Sequence, residues 1–120
     1  MVVEDDDRVR AVVRRTLCTL GYQVLEARSG AEAQAVATQC ARPIDLILSD
    51  IVIPDASGPE VVGAIHRLSG RTKSIFMSGY TSDALQRRKV LPADAHLIQK
   101  PFTPASLATK VRAVLDGAPR

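Results

Sequence analysis

The chain has 120 residues, of which 46% are apolar and 24% charged, the size and balance of one domain around one core, with no room for a second. Lys and Arg number 16 against 13 Asp and Glu, a formal charge of +3, but the arginines are scattered and Trp is absent, so solvated helix faces explain the basicity better than a nucleic-acid surface. No apolar run approaches the roughly 20 residues that span a bilayer, and the N-terminus turns acidic at once instead of forming a signal peptide, so a cytoplasmic chain with no membrane segment is expected.

Short apolar runs alternate with helical patterns along the whole length, without repeats or linkers. The apolar runs at 2–3, 24–27, 46–49, 75–77 and 96–98 lack strict alternation, as strands covered on both faces do. After the first run and the acidic cluster of Glu4, Asp5, Asp6 and Asp7, Val9, Val12, Val13, Thr16, Leu17 and Leu20 recur at helical spacing until Gly21 stops the helix. Ser29 caps a second predicted helix that runs through Cys40. A third runs from about Pro59 to Leu68 behind Ser57 and Gly58, and a fourth follows Thr81 or Ser82 through Arg88. Thr103 and Pro104 are a cap and a pre-set first turn for a last helix with Leu107, Val111, Val114 and Leu115 on one face, and Gly117 ends it. The two cysteines, Cys18 and Cys40, lack CxxC spacing and are expected as buried, reduced thiols.

Strands alternating with helices imply a parallel sheet with right-handed crossovers, and such doubly wound sheets bind ligands beyond the carboxyl ends of their strands. At those ends stand Glu4 to Asp7, Asp50, Ser78 and Lys100. Acids crowded in this way require an opposing charge, and a hard cation such as magnesium, which takes oxygen ligands from one or two carboxylates, supplies it. Asp5 and Asp50 are the candidate direct ligands, Glu4 a water-mediated one, and the backbone carbonyl of Val52 a neutral oxygen. Asp6 and Asp7 are better explained as capping groups at the positive end of the first helix. Pro54 and Gly58 force a turn after Asp50. Lys100 closes an apolar strand ahead of Pro101, whose bond can be cis and so turn the lysine into the acidic pocket as a counter-charge.

In order and spacing, the Glu4-Asp5 pair, the block DLILSDIVIPDASG around Asp50, the SGY of Ser78, Gly79 and Tyr80, and the KPF from Lys100 resemble the receiver (response regulator) family over essentially the whole chain. FMSGYTSDAL followed by LIQKPFTPASLATKVRAVL is especially similar to receivers of hybrid histidine kinases. The resemblance implies a flavodoxin-like (βα)5 fold, with five parallel strands in the order 2-1-3-4-5, and a single receiver domain over residues 1–120 whose first strand is truncated relative to the family. It implies that Asp50 accepts a phosphoryl group with the aid of magnesium or manganese, that Glu4 and Asp5 form the metal pair, that Ser78 is the switch hydroxyl and that Lys100 pairs with the phosphate. The partner implied is a sensor histidine kinase or a histidine phosphotransfer domain, with a homodimer as a further state. Such a domain phosphorylates and dephosphorylates itself but is no conventional turnover enzyme.

Besides its short first strand, this sequence departs from common family usage at Ser78 and Leu97, and it differs at Val52 and Tyr80 from receivers that carry polar residues at both of those sites. Ser78 replaces the commoner Thr, Leu97 stands where many receivers place Tyr or Phe, and neither Val52 nor Tyr80 offers a polar group to a hydrolytic water. Switching is therefore expected to rest on the loop of Ser78, Gly79 and Tyr80 and on displacement of the fourth helix, and autodephosphorylation to be slow. Three rivals remain: a degenerate receiver that only binds partners, a flavodoxin-like electron carrier, whose phosphate the acidic loop would repel, and an aspartyl phosphatase, which normally needs a second acid where Val52 stands.

Overall fold

The computed structural model describes residues 1–70, 72–79, 84–85, 91 and 95–117. Its elements in chain order are β1 (Val2–Val3), α1 (Asp7–Thr19), β2 (Glu26–Ala27), α2 (Gly30–Gln39), β3 (Leu46–Asp50), β4 (Val52–Ile53), β5 (Ala56–Ser57), α3 (Gly58–Ser69), β6 (Lys73–Ser78), β7 (Leu97–Gln99) and α4 (Pro104–Leu115). Five strands pair in parallel in the order β2-β1-β3-β6-β7. Counting only these five, the order is the expected 2-1-3-4-5. The short β4 and β5 form a separate antiparallel pair, which breaks no apolar run and had no strand signature of its own. The predicted helix over 81–88 lies largely outside the described residues.

Side chains on successive strand residues point to opposite faces. Val2, Leu46, Leu48, Ile75 and Met77 accordingly pack with Val13 and Leu17 of α1 and with Leu107, Val111 and Val114 of α4. Val3, Ala27 and Ile47 pack on the other face with Ala33 of α2 and with Val61 and Ile65 of α3. Both faces are thus covered, which is why the strands read as continuous apolar runs. Ile51, Phe76, Leu85 and Leu91 form a third cluster, against which Leu97 packs.

The helix ends follow their capping residues. Asp6 accepts hydrogen bonds from the amides of Arg8 and Val9, Ser29 caps α2, and Ser57 and Thr103 form reciprocal capping boxes with Glu60 and Ser106. Gly21 takes the left-handed conformation, with φ 92°, just past α1. Two helix expectations need correction. Val12 and Leu20 are exposed, because the buried stripe of α1 is the narrower one of Val13 and Leu17. Cys18 is also exposed and Cys40 only partly buried, although both are free thiols.

The second strand begins at Glu26 and not at Val24. Its partner β1 pairs Val2 with Glu26, so Leu25 contributes only its carbonyl, to the Val2 amide at 2.8 Å, and the ladder does not extend back to Val24. Where Val24 would pair, a groove of about 880 Å³ opens beneath Met1, lined among others by Tyr22, Val24, Ile44 and Leu46. Met1 itself is buried, its ammonium donating to the Leu46 carbonyl at 2.7 Å. Burial lowers the pKa of that ammonium to about 6. Among the described residues, no helix is long and apolar enough to cross a membrane.

Candidate functional site

The carboxyl ends of β1, β3, β6 and β7 converge at one edge of the sheet, and the chemistry-bearing residues sit there. Glu4 follows β1 and is completely buried, with its amide held by the Ala27 carbonyl. Asp50 ends β3, Ser78 ends β6, and Lys100 follows β7. The Lys100 ammonium reaches back to Glu4 Oε1 at 2.6 Å and Asp50 Oδ2 at 3.2 Å. Its backbone N–H donates to the Ser78 carbonyl at 2.7 Å, joining the β6 and β7 ends. The Lys100–Pro101 peptide bond is cis.

Glu4, Asp5 and Asp50 each offer an oxygen within 4.8 Å of the others. Only Asp5 is exposed. Burial pushes the Glu4 carboxyl up to about 7, and although the Lys100 hydrogen bond opposes that rise, the Asp50 charge adds to it. Burial works against the Lys100 ammonium too, yet the Glu4 hydrogen bond and the Asp50 charge outweigh it and raise its pKa. Lys100 is thus a fixed cation between two acids.

The donor set suits a hard divalent cation. It is all oxygen, without the sulfur or imidazole that favours zinc, and Glu4 Oε2 is buried without a hydrogen-bond partner, an atom that a bound ion or its water would satisfy. Val52, the proposed neutral oxygen, opens β4 two residues past Asp50 and is 73% exposed as a residue.

The Asp50 carboxylate is oriented by its neighbours. The Ile51 amide donates to Oδ1 at 2.9 Å, Ser49 Oγ donates to the Asp50 carbonyl at 2.9 Å, and the Gly58 amide donates to the Ile51 carbonyl at 2.7 Å. Gly58 lies so close that a Cβ there would stand 2.4 Å from the Asp50 carbonyl oxygen. On the other side of the pocket, Arg10 Nη1 donates to the Glu4 carbonyl at 2.9 Å while pairing with Asp7 and Glu26. Sequence reasoning found Gly58 only as a turn residue and missed Ser49 and Arg10, which have no motif of their own.

Of the remaining expected residues, Ser78 is buried and Gly79 exposed. Leu97 is partly buried and pairs in register with Phe76. Tyr80 lies outside the described residues. Asp6 and Asp7 take the capping and first-turn places expected of them.

Residues 1–112 match the model of the response regulator receiver domain. The sensor kinase CckA of Brucella abortus is 39% identical over 97% of this chain, which spans only 12% of that kinase. The response regulator receiver protein CpdR of the same organism is 29% identical, covering 98% of this chain and 97% of its own length. The chain spans about half of transcriptional regulators such as KdpE of Mycobacterium tuberculosis, 28% identical. Among solved structures, the receiver domain of the hybrid histidine kinase CckA aligns with a TM-score of 0.79 at 34% identity, covering 95% of both chains. The chemotaxis response regulator CheY4 of Vibrio cholerae aligns at 0.80 with 29% identity over 94% of each chain. With the acidic cluster, the inward lysine and the sheet order on the same scaffold, the chain belongs to the response regulator receiver domain family of two-component signalling.

Proposed function

We propose that this receiver accepts a phosphoryl group on Asp50 from a phosphohistidine of a sensor kinase or a histidine phosphotransfer domain, and relays or switches the signal. The observation that carries the reading is the Lys100 ammonium held between Glu4 and Asp50. In the transfer a carboxylate oxygen of Asp50 bonds to phosphorus, the phosphorus–nitrogen bond breaks, and the imidazole leaves with its electron pair. The Ile51 amide fixes the carboxylate for in-line approach. Lys100, already 3.2 Å from Asp50 Oδ2, supplies positive charge to the incoming phosphoryl oxygens, and Ser78 at the end of the adjoining strand supplies a hydroxyl. Asp5, Asp50 and the Val52 carbonyl would hold magnesium or manganese, with Glu4 beside them, and that ion when bound neutralises charge on the transferred group.

The product brings new negative charge and strong acceptor oxygens to the end of β3. A shift of Ser78 toward them would pull on the β6 end, which the Lys100 amide joins to β7. Leu97 keeps its place in the apolar cluster with Ile51 and Phe76, so output rests on the loop after Ser78.

Acetyl phosphate with magnesium tests the reading, with intact-mass detection of the acyl phosphate. The parent should gain one phosphoryl group and Asp50→Asn none. Persisting phosphorylation in Asp50→Asn would move the acceptor elsewhere. If the parent fails to react with acetyl phosphate and with a histidine phosphodonor, the domain only binds partners.

A further inference from the structure

Segment 50–58 is gripped from several sides, and one grip has no part in the chemistry above. Asp55, at the turn between β4 and β5, reaches across to the start of α2. Its Oδ1 accepts from the Gly30 amide at 2.8 Å and its Oδ2 from the Ala31 amide at 2.9 Å. Ser29 caps that helix through the Glu32 amide alone, and the Asp55 carboxylate takes the two first-turn amides that Ser29 leaves. That carboxylate comes from 25 residues away in sequence. Those amide hydrogen bonds hold the Asp55 carboxyl below its usual range.

The approach is close on the helix side as well. A Cβ on Gly30 would lie 3.1 Å from Val61 Cγ2, 3.2 Å from Asp55 Oδ1 and 3.3 Å from the Ala56 Cβ. Within the hairpin, Val52 pairs with Ser57 and Ile53 with Ala56, and Ser57 then caps α3. Val52 is therefore located by a two-rung ladder whose closed end is fastened to α2 and whose open end is fastened to α3. A ladder of two rungs is too short to hold its own geometry, so its fastenings decide where its backbone lies.

We propose that Asp55 is a positioning residue for the metal site, its carboxylate fastening the 52–57 hairpin to the first turn of α2 so that the Val52 backbone is set at the edge of the acidic pocket. The assignment rests on the reading above that the Val52 carbonyl is a metal ligand. It also makes the start of α2 a mechanical neighbour of the phosphoacceptor loop, although α2 contributes no side chain to the site.

Magnesium titrations followed by amide chemical shifts, together with amide hydrogen exchange in the metal-free protein, test the proposal on the parent and on Asp55→Ala, Gly30→Ala and Ser29→Ala. Asp55→Ala should speed exchange at Ala56 and Ser57 and weaken magnesium binding about fivefold, below the roughly 10- to 100-fold typical of direct outer-shell partners. Gly30→Ala, which pushes the hairpin from the other side, should move both readouts the same way. Ser29→Ala weakens the same helix without touching the hairpin and should leave magnesium affinity within about twofold of the parent. Equal affinities for Asp55→Ala and Ser29→Ala overturn the proposal, as does unchanged exchange in Asp55→Ala. A parent in which magnesium shifts the Asp50 amide but not those of Val52 and Ile53 overturns the Val52 reading, and with it the role of Asp55 toward the metal. That failure shows in the parent alone, before any variant is compared.

Discussion

Gly58 is where the fold and the acceptor press hardest on each other, and alanine there gives a signed expectation. The added Cβ would stand 2.4 Å from the Asp50 carbonyl oxygen, 3.1 Å from Ile51 Cα and 3.2 Å from the Asp50 carbonyl carbon. All three are main-chain atoms that cannot rotate aside, so the turn must open by several tenths of an ångström. Overpacking of this kind costs about 1–3 kcal/mol, and the rigidity of the neighbours puts Gly58→Ala near the upper end. The 2.7 Å bond from the Gly58 amide to the Ile51 carbonyl is strained by the same movement. Gly63→Ala, in the same helix, is the matched control, because its nearest new neighbour is Arg67 Nη1 at 3.9 Å and alanine gains roughly 0.5–1 kcal/mol over glycine inside a helix. Urea unfolding followed by circular dichroism should therefore move in opposite directions for the two, with a melting temperature about 8–12 °C lower for Gly58→Ala. Misplacing the Asp50 carboxylate should also slow its reaction with acetyl phosphate by about tenfold or more. A Gly58→Ala midpoint within about 0.5 kcal/mol of the parent, the noise of ordinary surface changes, refutes the reasoning.

Metal-free stability should depend on pH with two opposite signs. Glu4, raised from 4.5 to about 7, binds its proton more tightly when folded, so its contribution is present at low pH and lost as pH rises through that interval. Asp6 and Asp55, both lowered from 3.8 by backbone amides, contribute above that value and lose their contribution as pH falls below it. Urea midpoints across pH 3–8 in chelator check both arms; because the buried Met1 ammonium, lowered from 8.0 to about 6, adds stability as pH rises through 6–8, the Glu4 arm is read as the difference between the parent and Glu4→Gln. Lys100→Met should cut phosphorylation by acetyl phosphate far more than Arg15→Met, and equal losses would remove the lysine from the site. Leu107→Ala, fully buried between α4 and the sheet, should cost about 2–5 kcal/mol by urea unfolding without changing which residue is phosphorylated. Val52→Asn with Tyr80→Glu should shorten the acyl-phosphate half-life by supplying polar groups to water, whereas an unchanged or longer half-life would show that these side chains do not govern hydrolysis.

The strands and helices were legible because each has an unambiguous local cause. Runs such as LILS have one conformation that buries them twice over, and Ser29, Ser57 and Thr103 mark helix starts by their own hydrogen bonds. The acidic pair, Asp50 and Lys100 were legible as charges at strand ends, where apolar sequence gives no other reason for them. Ser49, Arg10 and Asp55 were not: Ser49 bonds only the next residue's carbonyl, which any serine can do, and Arg10 and Asp55 reach backbone groups that the fold brings close. Val24 and Leu25 misled for a related reason. Their apolar character is real, but a strand also needs a neighbour of matching length.

That neighbour, β1, has a consequence of its own. It is only two residues long and is tied to its flanks by the Val2 amide on Leu25, the Glu4 amide on Ala27, the Met1 ammonium on Leu46 and the Leu48 amide on the Met1 carbonyl. The residue that follows it is the buried partner of Lys100. Peeling β1 from the sheet would thus withdraw Glu4 from the pocket in the same motion, so local opening of the scaffold and dismantling of the site are a single event. Whatever grips the pocket, whether cation or phosphoryl group, also latches the middle of the sheet, and by mass action the domain becomes harder to unfold as its site fills.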